Sequence, residues 1–300
     1  MIQKNRPSLI IVAGPTASGK SAYAMALAKQ CNGVIINADS LQVYAGLPLL
    51  TAQPTEEDKR ETPHRMYGHV LCTHAYNVRQ WLHALEEELL QISPKQTPIL
   101  VGGTGFYLYS FCHGLSEIPN VPRETNEQCT QTFHDIGGEA FREQLMQCDP
   151  VTAKRLHHND RQRLVRAMSV FVATGKSLSD WQNVSSARIM GDAYAIQSHI
   201  LLPPRDVLRA RAAQRFQNIL DRGGVDEVSA MVDMHSFDTL SPTLARAIGV
   251  VPIMQFLKGD ITQTEMMRIS IDQTNQYIKR QTTWLRHHRM PAPKVVDGFF

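Results

Sequence analysis

Three stretches of the chain are apolar without alternation: residues 9–13, 33–39 up to their polar end, and 98–101. Runs of this kind predict strands buried on both faces, as in a parallel sheet covered by helices. Between them, residues 21–30 are rich in Ala, Leu and Met and predict a helix, and residues 80–92 show the spacing of an amphipathic helix. Strand, helix, strand, helix, strand is the grammar of a parallel α/β fold. In such sheets ligands gather at the carboxyl ends of the strands, so the polar residues that end these runs are expected to converge.

The texture changes after about Gly114. Residues 118–122 read as a linker, and helical periodicity then continues to about residue 198, with turn signals at Gly137-Gly138, Asp149-Pro150 and Gly175. Residues 199–203 read as a strand that returns the chain to the sheet, and helices are expected over 205–220, 242–257 and 263–287. The predicted organisation is a core of residues 1–117 and 199–300, interrupted by a helical insertion at 118–198.

The most specific local signal is Gly14-Pro15-Thr16-Ala17-Ser18-Gly19-Lys20-Ser21, which fits G-x-x-x-x-G-K-[ST] between a buried strand and a helix. Glycines let successive backbone N–H groups wrap an anion, and the helix N-terminus adds its dipole. Lys20 supplies a mobile cation and the Ser21 hydroxyl a ligand for Mg²⁺. The fold class is therefore α/β, a P-loop NTPase-like parallel sheet flanked by helices, with an inserted helical subdomain, and the substrate carries phosphate. Asp39, at the end of the second apolar run, admits three readings: an aspartate that orders Mg²⁺, a general base, or a helix N-cap.

Composition narrows the setting. With 300 residues, 43% apolar and 20% charged, the chain is unlike disordered, fibrous or coiled-coil sequences. Five cysteines without a C-x-x-C pair suit a reduced, cytoplasmic compartment. Residues 9–13 are too short for a secretory core, and no run nears the ~18 apolar residues that span a bilayer, so no membrane partner is expected. The net charge of +3 hides an asymmetry. Residues 142–215 hold twelve Lys/Arg against six Asp/Glu and residues 268–294 six against one, which leaves −8 for the rest. Basic charge gathered in two segments predicts a polyanion-facing surface.

Longer motifs then carry a resemblance. GPTASGKS from Gly14, NADSLQVY from Asn37, VGGTGFY from Val101 and RQTTWLR from Arg280 resemble the tRNA dimethylallyltransferase family. Intermediate marks agree in order: Asp149-Pro150, HHNDRQRLVRA from His157, the Arg211/Arg215 segment followed by Gly223-Gly224-Val225-Asp226-Glu227-Val228, and ARAIGV from Ala245. The resemblance implies transfer of a dimethylallyl group from dimethylallyl diphosphate to N6 of the adenosine 3′ of the anticodon, in tRNAs that read codons beginning with U. It implies that residues 14–21 with Arg211 and Arg215 hold the diphosphate, that Mg²⁺ helps to neutralise it, that Asp39 is the general base, and that Thr104 lines the same channel. It also implies contacts to the tRNA anticodon stem-loop from Asp39, Ser40, Leu41, Gln42, Thr104, Asn126, Gln162, Arg163, Leu164, Val165, Arg166, Arg280 and Gln281. Gln42 brings an amide suited to a base edge. Arg280, Gln281 and Arg286 to Arg289 are expected along the RNA backbone, and Trp284 is expected to pack beside the sheet rather than stack on a base. The expected enzyme is a monomer.

The chain also departs from that family. Where many members read DIGTAKP, it has Leu47-Pro48-Leu49-Leu50-Thr51-Ala52-Gln53-Pro54, and the position of a family arginine that touches tRNA is held by Asn126, with Arg123 three residues earlier. His157-His158 and His287-His288 have no Cys or carboxylate at ligand spacing and are read as surface or RNA-facing rather than a metal site. Two other classes fit the phosphate loop: a nucleoside or small-molecule kinase, in which GGTGFY and RQTTWLR have no role, and a non-catalytic RNA-binding protein.

Overall fold

A parallel sheet of six strands runs in the order β3-β2-β4-β1-β5-β6 in the computed structural model, which describes residues 6–183, 189–288 and 290–296. The strands are β1 (Ser8–Ala13), β2 (Gly33–Asn37), β3 (His64–Arg65), β4 (Thr97–Gly102), β5 (Ala195–Ile200) and β6 (Pro293–Val295). β1 is central, with Ile11 opposite Leu100 on one side and Ser198 on the other. Leu9, Ile11, Val12 and Ala13 are fully buried, as the unalternating pattern requires of a strand covered on both faces. One face packs on Trp81, Leu85 and Phe111, and the other on Ala24 and Ala28 of the helix Lys20–Cys31.

β2 and β4 leave the sheet in close contact. A Cβ on Gly102 would lie 2.0 Å from the Ala38 carbonyl oxygen, so only glycine permits that approach. Fully buried Asn37 fixes the turn beyond β2: its amide donates to the Asp39 and Met66 carbonyls (3.1 Å each) and accepts from the Asp39 N–H (2.9 Å). The expected 242–257 helix is two pieces, Pro242–Ala245 and Val250–Leu257, divided where Gly249 takes a left-handed φ of 99°. Short elements went unread in the sequence: helices Pro48–Thr51 and Glu56–Glu61, and the strands β3 and β6, each too brief for a periodic signal.

The chain divides into two compact units, Met1–His113 with Met190–Phe300, and Gly114–Ile189. Residues 190–198 go with the sheet, because β5 pairs with β1 from Ala195 onward. The second unit has its own core of Cys129, Phe141, Leu145, Ala153, Leu164, Val165, Ala167 and Val170. Its long helix, Arg123–Cys148, is broken at Gly137 (φ 77°, ψ 163°), and a Cβ on Gly138 would lie 2.2 Å from the His158 carbonyl oxygen. Asp149 is fully buried, caps Pro150–Arg155 by accepting from the Thr152 N–H (3.0 Å) and accepts from the Ser179 N–H (3.1 Å) of the helix Leu178–Asn183.

Removing both acceptors strands two buried donors, so Asp149→Ala is expected to lower stability by about 2 kcal/mol. Urea unfolding followed by tryptophan fluorescence, which reports on Trp181 of this unit, checks this; a midpoint equal to the wild type would show that Asp149 carries no such load.

Candidate active site

The loop after β1 is built for an anion. Gly19 (φ 86°) and Ala17 (φ 64°) take left-handed backbone conformations and turn the chain into the helix Lys20–Cys31. At Gly14 a Cβ would lie 2.5 Å from Ser18 Oγ and 2.9 Å from the Leu201 carbonyl oxygen, so Gly14 is required for the loop to fold back on itself. Pro15 and Ser18 are buried, and the Ser18 N–H donates to the Pro15 carbonyl (3.2 Å). Ser21, in the first helical turn, is exposed.

Arg215 comes from the helix Arg205–Asp221, on the far side of the loop. Its guanidinium donates to Thr16 Oγ1 (2.6 Å) and to the Thr51 carbonyl (3.4 Å). Arg211, one turn earlier on the same face, reaches within 3.8 Å of where a Cβ on Gly19 would lie. Both arginines therefore sit at the phosphate loop. Burial pushes the Lys20 ammonium down to about 8, against the attraction of Asp39 and with the repulsion of Arg215 adding to the fall. Arg215 is also lowered by burial, with Asp39 opposing.

Asp39 lies two residues beyond the end of β2 and begins a turn, not a helix; its Oδ1 accepts from the Leu41 N–H (3.0 Å). The N-cap reading is thereby corrected, since the next helix starts only at Pro48. Thr104 Oγ1 accepts from the Ser40 N–H (2.9 Å) and donates to Ser40 Oγ (3.2 Å), tying the end of β4 to the Asp39 turn. A cleft of about 700 Å³, counted to its open mouth, joins these parts. Its polar lining includes Thr16, Lys20, Asp39, Gln42, Arg215 and Tyr277, and its apolar wall Leu41, Leu50, Phe216, Ile219 and Ile248.

Several residues expected at RNA are elsewhere. Gln281 is buried at 5% exposure: its Oε1 accepts from the Thr16 N–H (2.8 Å) and its Nε2 donates to the Gly103 carbonyl (3.0 Å), so it clamps the phosphate loop to β4 and cannot lie along a nucleic-acid backbone. Leu164 and Val165 belong to the core of the second unit, because they point inward from the helix Arg161–Thr174. Gln162, Arg163 and Arg166 are exposed on that helix, and Arg163 pairs with its N-cap residue Asp160. Asn126 is exposed, and Arg123 pairs with Glu127 (2.6 Å). The Gln42 amide nitrogen donates to the Thr51 (3.0 Å) and Ala52 (2.7 Å) carbonyls, so its donor is committed to the protein rather than to a base. Arg280, Arg286 and His287 are exposed; Arg289 lies outside the described residues. Trp284 packs, as expected, under Gly105, where a Cβ would come within 2.1 Å of the indole, and stacks on His288 at 4.1 Å.

The sequence did not mark the apolar wall of the cleft beyond Leu41, nor two polar residues, Tyr277 in its lining and Glu227 outside it. The Tyr277 hydroxyl hydrogen-bonds with the Thr104 and Gln281 side chains, and burial raises its pKa. Its position four residues before Gln281 on one helix was the available signal. Glu227, half-buried, accepts from the Leu49 and Leu50 N–H groups (2.7 and 2.8 Å), a long-range contact with no local signature. Among the described residues no cluster of three His, Cys, Asp or Glu could hold a metal, and no helix is long and apolar enough to cross a membrane.

A family model described as IPP transferase matches residues 42–288. Proteins named tRNA dimethylallyltransferase from Rhizobium etli and Agrobacterium fabrum are 40% and 41% identical to this chain, each alignment spanning 93% of both sequences. Among solved structures, a tRNA isopentenylpyrophosphate transferase from Bacillus halodurans is 26% identical with a TM-score of 0.66, over 97% of this chain and 89% of that one. A eukaryotic dimethylallyltransferase acting on tRNA is 25% identical with a TM-score of 0.77, over 93% of this chain and 69% of that one. The chain that brings together this phosphate loop, the arginine facing it and a carboxylate two residues beyond β2 belongs to the IPP transferase family.

Proposed function

We propose that this chain transfers a dimethylallyl group from dimethylallyl diphosphate to N6 of the adenosine 3′ of the anticodon, in tRNAs that read codons beginning with U, and releases diphosphate. The observation that carries this reading is the shared lining of one cleft by two cations, one carboxylate and an apolar wall. Family membership favours it over the kinase reading, and we assign the enzyme to the cytoplasm, where tRNA resides, as a monomer.

The chemistry follows from where charge develops. As the C1–O bond breaks, the electron pair leaves with the diphosphate, and Lys20, Arg215 and the loop N–H groups meet that charge. Arg211 faces the same loop. The five-carbon chain lies against Leu41, Leu50, Phe216 and Ile219, which exclude water from an allylic centre that would otherwise hydrolyse. N6 bonds to C1, becomes cationic and gives its proton to Asp39, whose carboxylate is aimed by the Leu41 N–H and whose backbone is fixed by Asn37. Thr104, bonded to Ser40 and Tyr277, does not itself line the cleft and acts by tying the end of β4 to the turn that carries Asp39.

A divalent cation fits the donor set. Mg²⁺ is ordinarily held by one or two protein oxygens together with substrate phosphates, and the exposed Ser21 hydroxyl in the first turn after the loop offers one such oxygen and no closed cage. When bound it supplies further neutralisation of the leaving diphosphate. Gln162, Arg163 and Arg166, exposed on a helix of the second unit, are the residues we assign to the anticodon stem backbone, with Arg280 and Arg286 on the first unit, while Asp39 to Leu41 adjoin the extruded base. Extrusion is least costly in a single-stranded loop.

Asp39→Ala is expected to slow single-turnover prenyl transfer by roughly 10²- to 10⁴-fold, the span of a general base; turnover near the wild-type rate would discard that role. Because Lys20 holds its charge only below about 8, kcat/KM for dimethylallyl diphosphate should be level near neutrality and decline as pH rises through that value. Lys20→Arg, whose guanidinium stays charged, should lose the decline. A wild-type profile level into the alkaline range would contradict the assignment of Lys20 to the diphosphate. Arg163→Ala should weaken stem-loop binding and reduce the slope of log K against log salt by about one; an unchanged slope would remove this arginine from the RNA.

A further inference from the structure

The segment Leu47 to Pro54, where this chain departs from the commoner DIGTAKP pattern, forms the single-turn helix Pro48–Thr51 on the wall of the cleft. That helix lacks a side-chain cap of its own: Leu47 precedes it and offers no acceptor. Pro48 at the first helical position has no N–H, which leaves the Leu49 and Leu50 N–H groups as the donors to satisfy. Both are met from far along the chain by one side chain, with Glu227 Oε1 2.7 Å from Leu49 N and Oε2 2.8 Å from Leu50 N. Glu227 sits in the first turn of the helix Gly224–His235, within the Gly223-Gly224-Val225-Asp226-Glu227-Val228 stretch.

At its other end the same helical turn presents the Thr51 carbonyl, which accepts from Arg215 Nη2 (3.4 Å) and from Gln42 Nε2 (3.0 Å). Arg215 Nη1 in turn donates to Thr16 Oγ1 of the phosphate loop (2.6 Å). A carboxylate at the N-terminus and a guanidinium at the C-terminus are both aligned with the dipole of this one turn. The turn is short and closes on Ala52 in a left-handed conformation (φ 53°), so it has few internal bonds of its own to keep the Thr51 carbonyl in place. Its anchorage comes from Glu227 on one side and from Gln42 on the other.

We propose that Glu227 is a positioning residue for the diphosphate site: through the Pro48–Thr51 turn it holds the Thr51 carbonyl where Arg215 must lie to reach the phosphate loop. This rests on the reading of the cleft as a diphosphate site. Glu227 itself does not line the cleft, and it acts on the leaving group only by fixing the guanidinium that faces it. Glu227→Gln keeps the shape but replaces one acceptor by an N–H that opposes a backbone N–H, so the clamp on one of the two donors is lost.

The test uses the full chain and titrates inorganic diphosphate with Mg²⁺ by calorimetry, alongside KM for dimethylallyl diphosphate and for an anticodon stem-loop. Glu227→Gln should weaken diphosphate binding and raise KM for dimethylallyl diphosphate by about tenfold, while KM for the stem-loop stays within about twofold. In an Arg215→Ala background the same substitution should change diphosphate affinity by less than about twofold, because its route of action is gone. An undiminished loss in that background, no loss in the native one, or a loss confined to the stem-loop overturns the proposal. Should Glu227→Gln fail the near-ultraviolet dichroism check for folding, Glu227→Asp takes its place. Its carboxylate is one methylene short, so a smaller loss in the same parameter is expected, and unaltered diphosphate affinity refutes the role. Diphosphate titration requires neither RNA nor prenyl transfer, so an inactive wild-type enzyme would count against the activity and not against Glu227.

Discussion

Two cations and one carboxylate occupy a single cleft, and the uneven sum of their charges organises the residues around them. Lys20 is pushed down to about 8 by burial even with Asp39 pulling the other way. Arg215 is lowered for the same reason. Cations kept among protein atoms without full pairing are costly unless a ligand supplies the missing negative charge. A departing diphosphate is such a ligand, and it gains most charge at the moment the enzyme needs to favour. Under the proposed reaction, the free site holds a potential that the substrate satisfies better as the leaving group departs.

Holding that arrangement falls to side chains that bond to backbone across large gaps in sequence. Asn37 fixes the Asp39 turn and is itself overlaid by Trp81, whose indole N–H donates to the Asn37 carbonyl (2.9 Å). Gln281 joins Thr16 to Gly103, and Thr104 joins β4 to Ser40. Glu227 and Gln42 brace the turn at residues 48–52 from opposite ends. Each of these amides, hydroxyls and carboxylates spends its capacity on fixed partners, which is how a loop-built site acquires the rigidity of the sheet beneath it.

The second unit contributes a different kind of surface. Its apolar residues on the helix Arg161–Thr174 close a small core, while Gln162, Arg163 and Arg166 stay at the surface. That division within one stretch of sequence follows helical geometry. Residues three or four apart share a face, and the intervening Leu164 and Val165 must turn inward for the unit to bury any core at all. A family motif can thus lead every position of a segment to be expected at RNA although only some of its side chains reach the surface.

Much was written in the local pattern. Unbroken apolar runs gave β1, β2 and β4 to within two residues, and the helix expected over 263–287 is found with those bounds. The phosphate loop was readable because its chemistry is local: glycines, a lysine and a hydroxyl within eight residues. What could not be read was every role that depends on a partner far away. Gln281 looked like a polar residue of a basic helix and proved to be a buried clamp, and Gln42 looked like a reader of bases and is bound to Thr51 and Ala52. Glu227 gave no signal, because the two N–H groups it meets lie 177 and 178 positions earlier in the chain. Sequence by itself determined which segments become strands and helices and where an anion must bind, since hydrophobic period and backbone sterics act between neighbours. Only the tertiary structure decided which polar side chains face the ligand and which are consumed in holding it, because a hydrogen bond depends on distance in space and not on position along the chain.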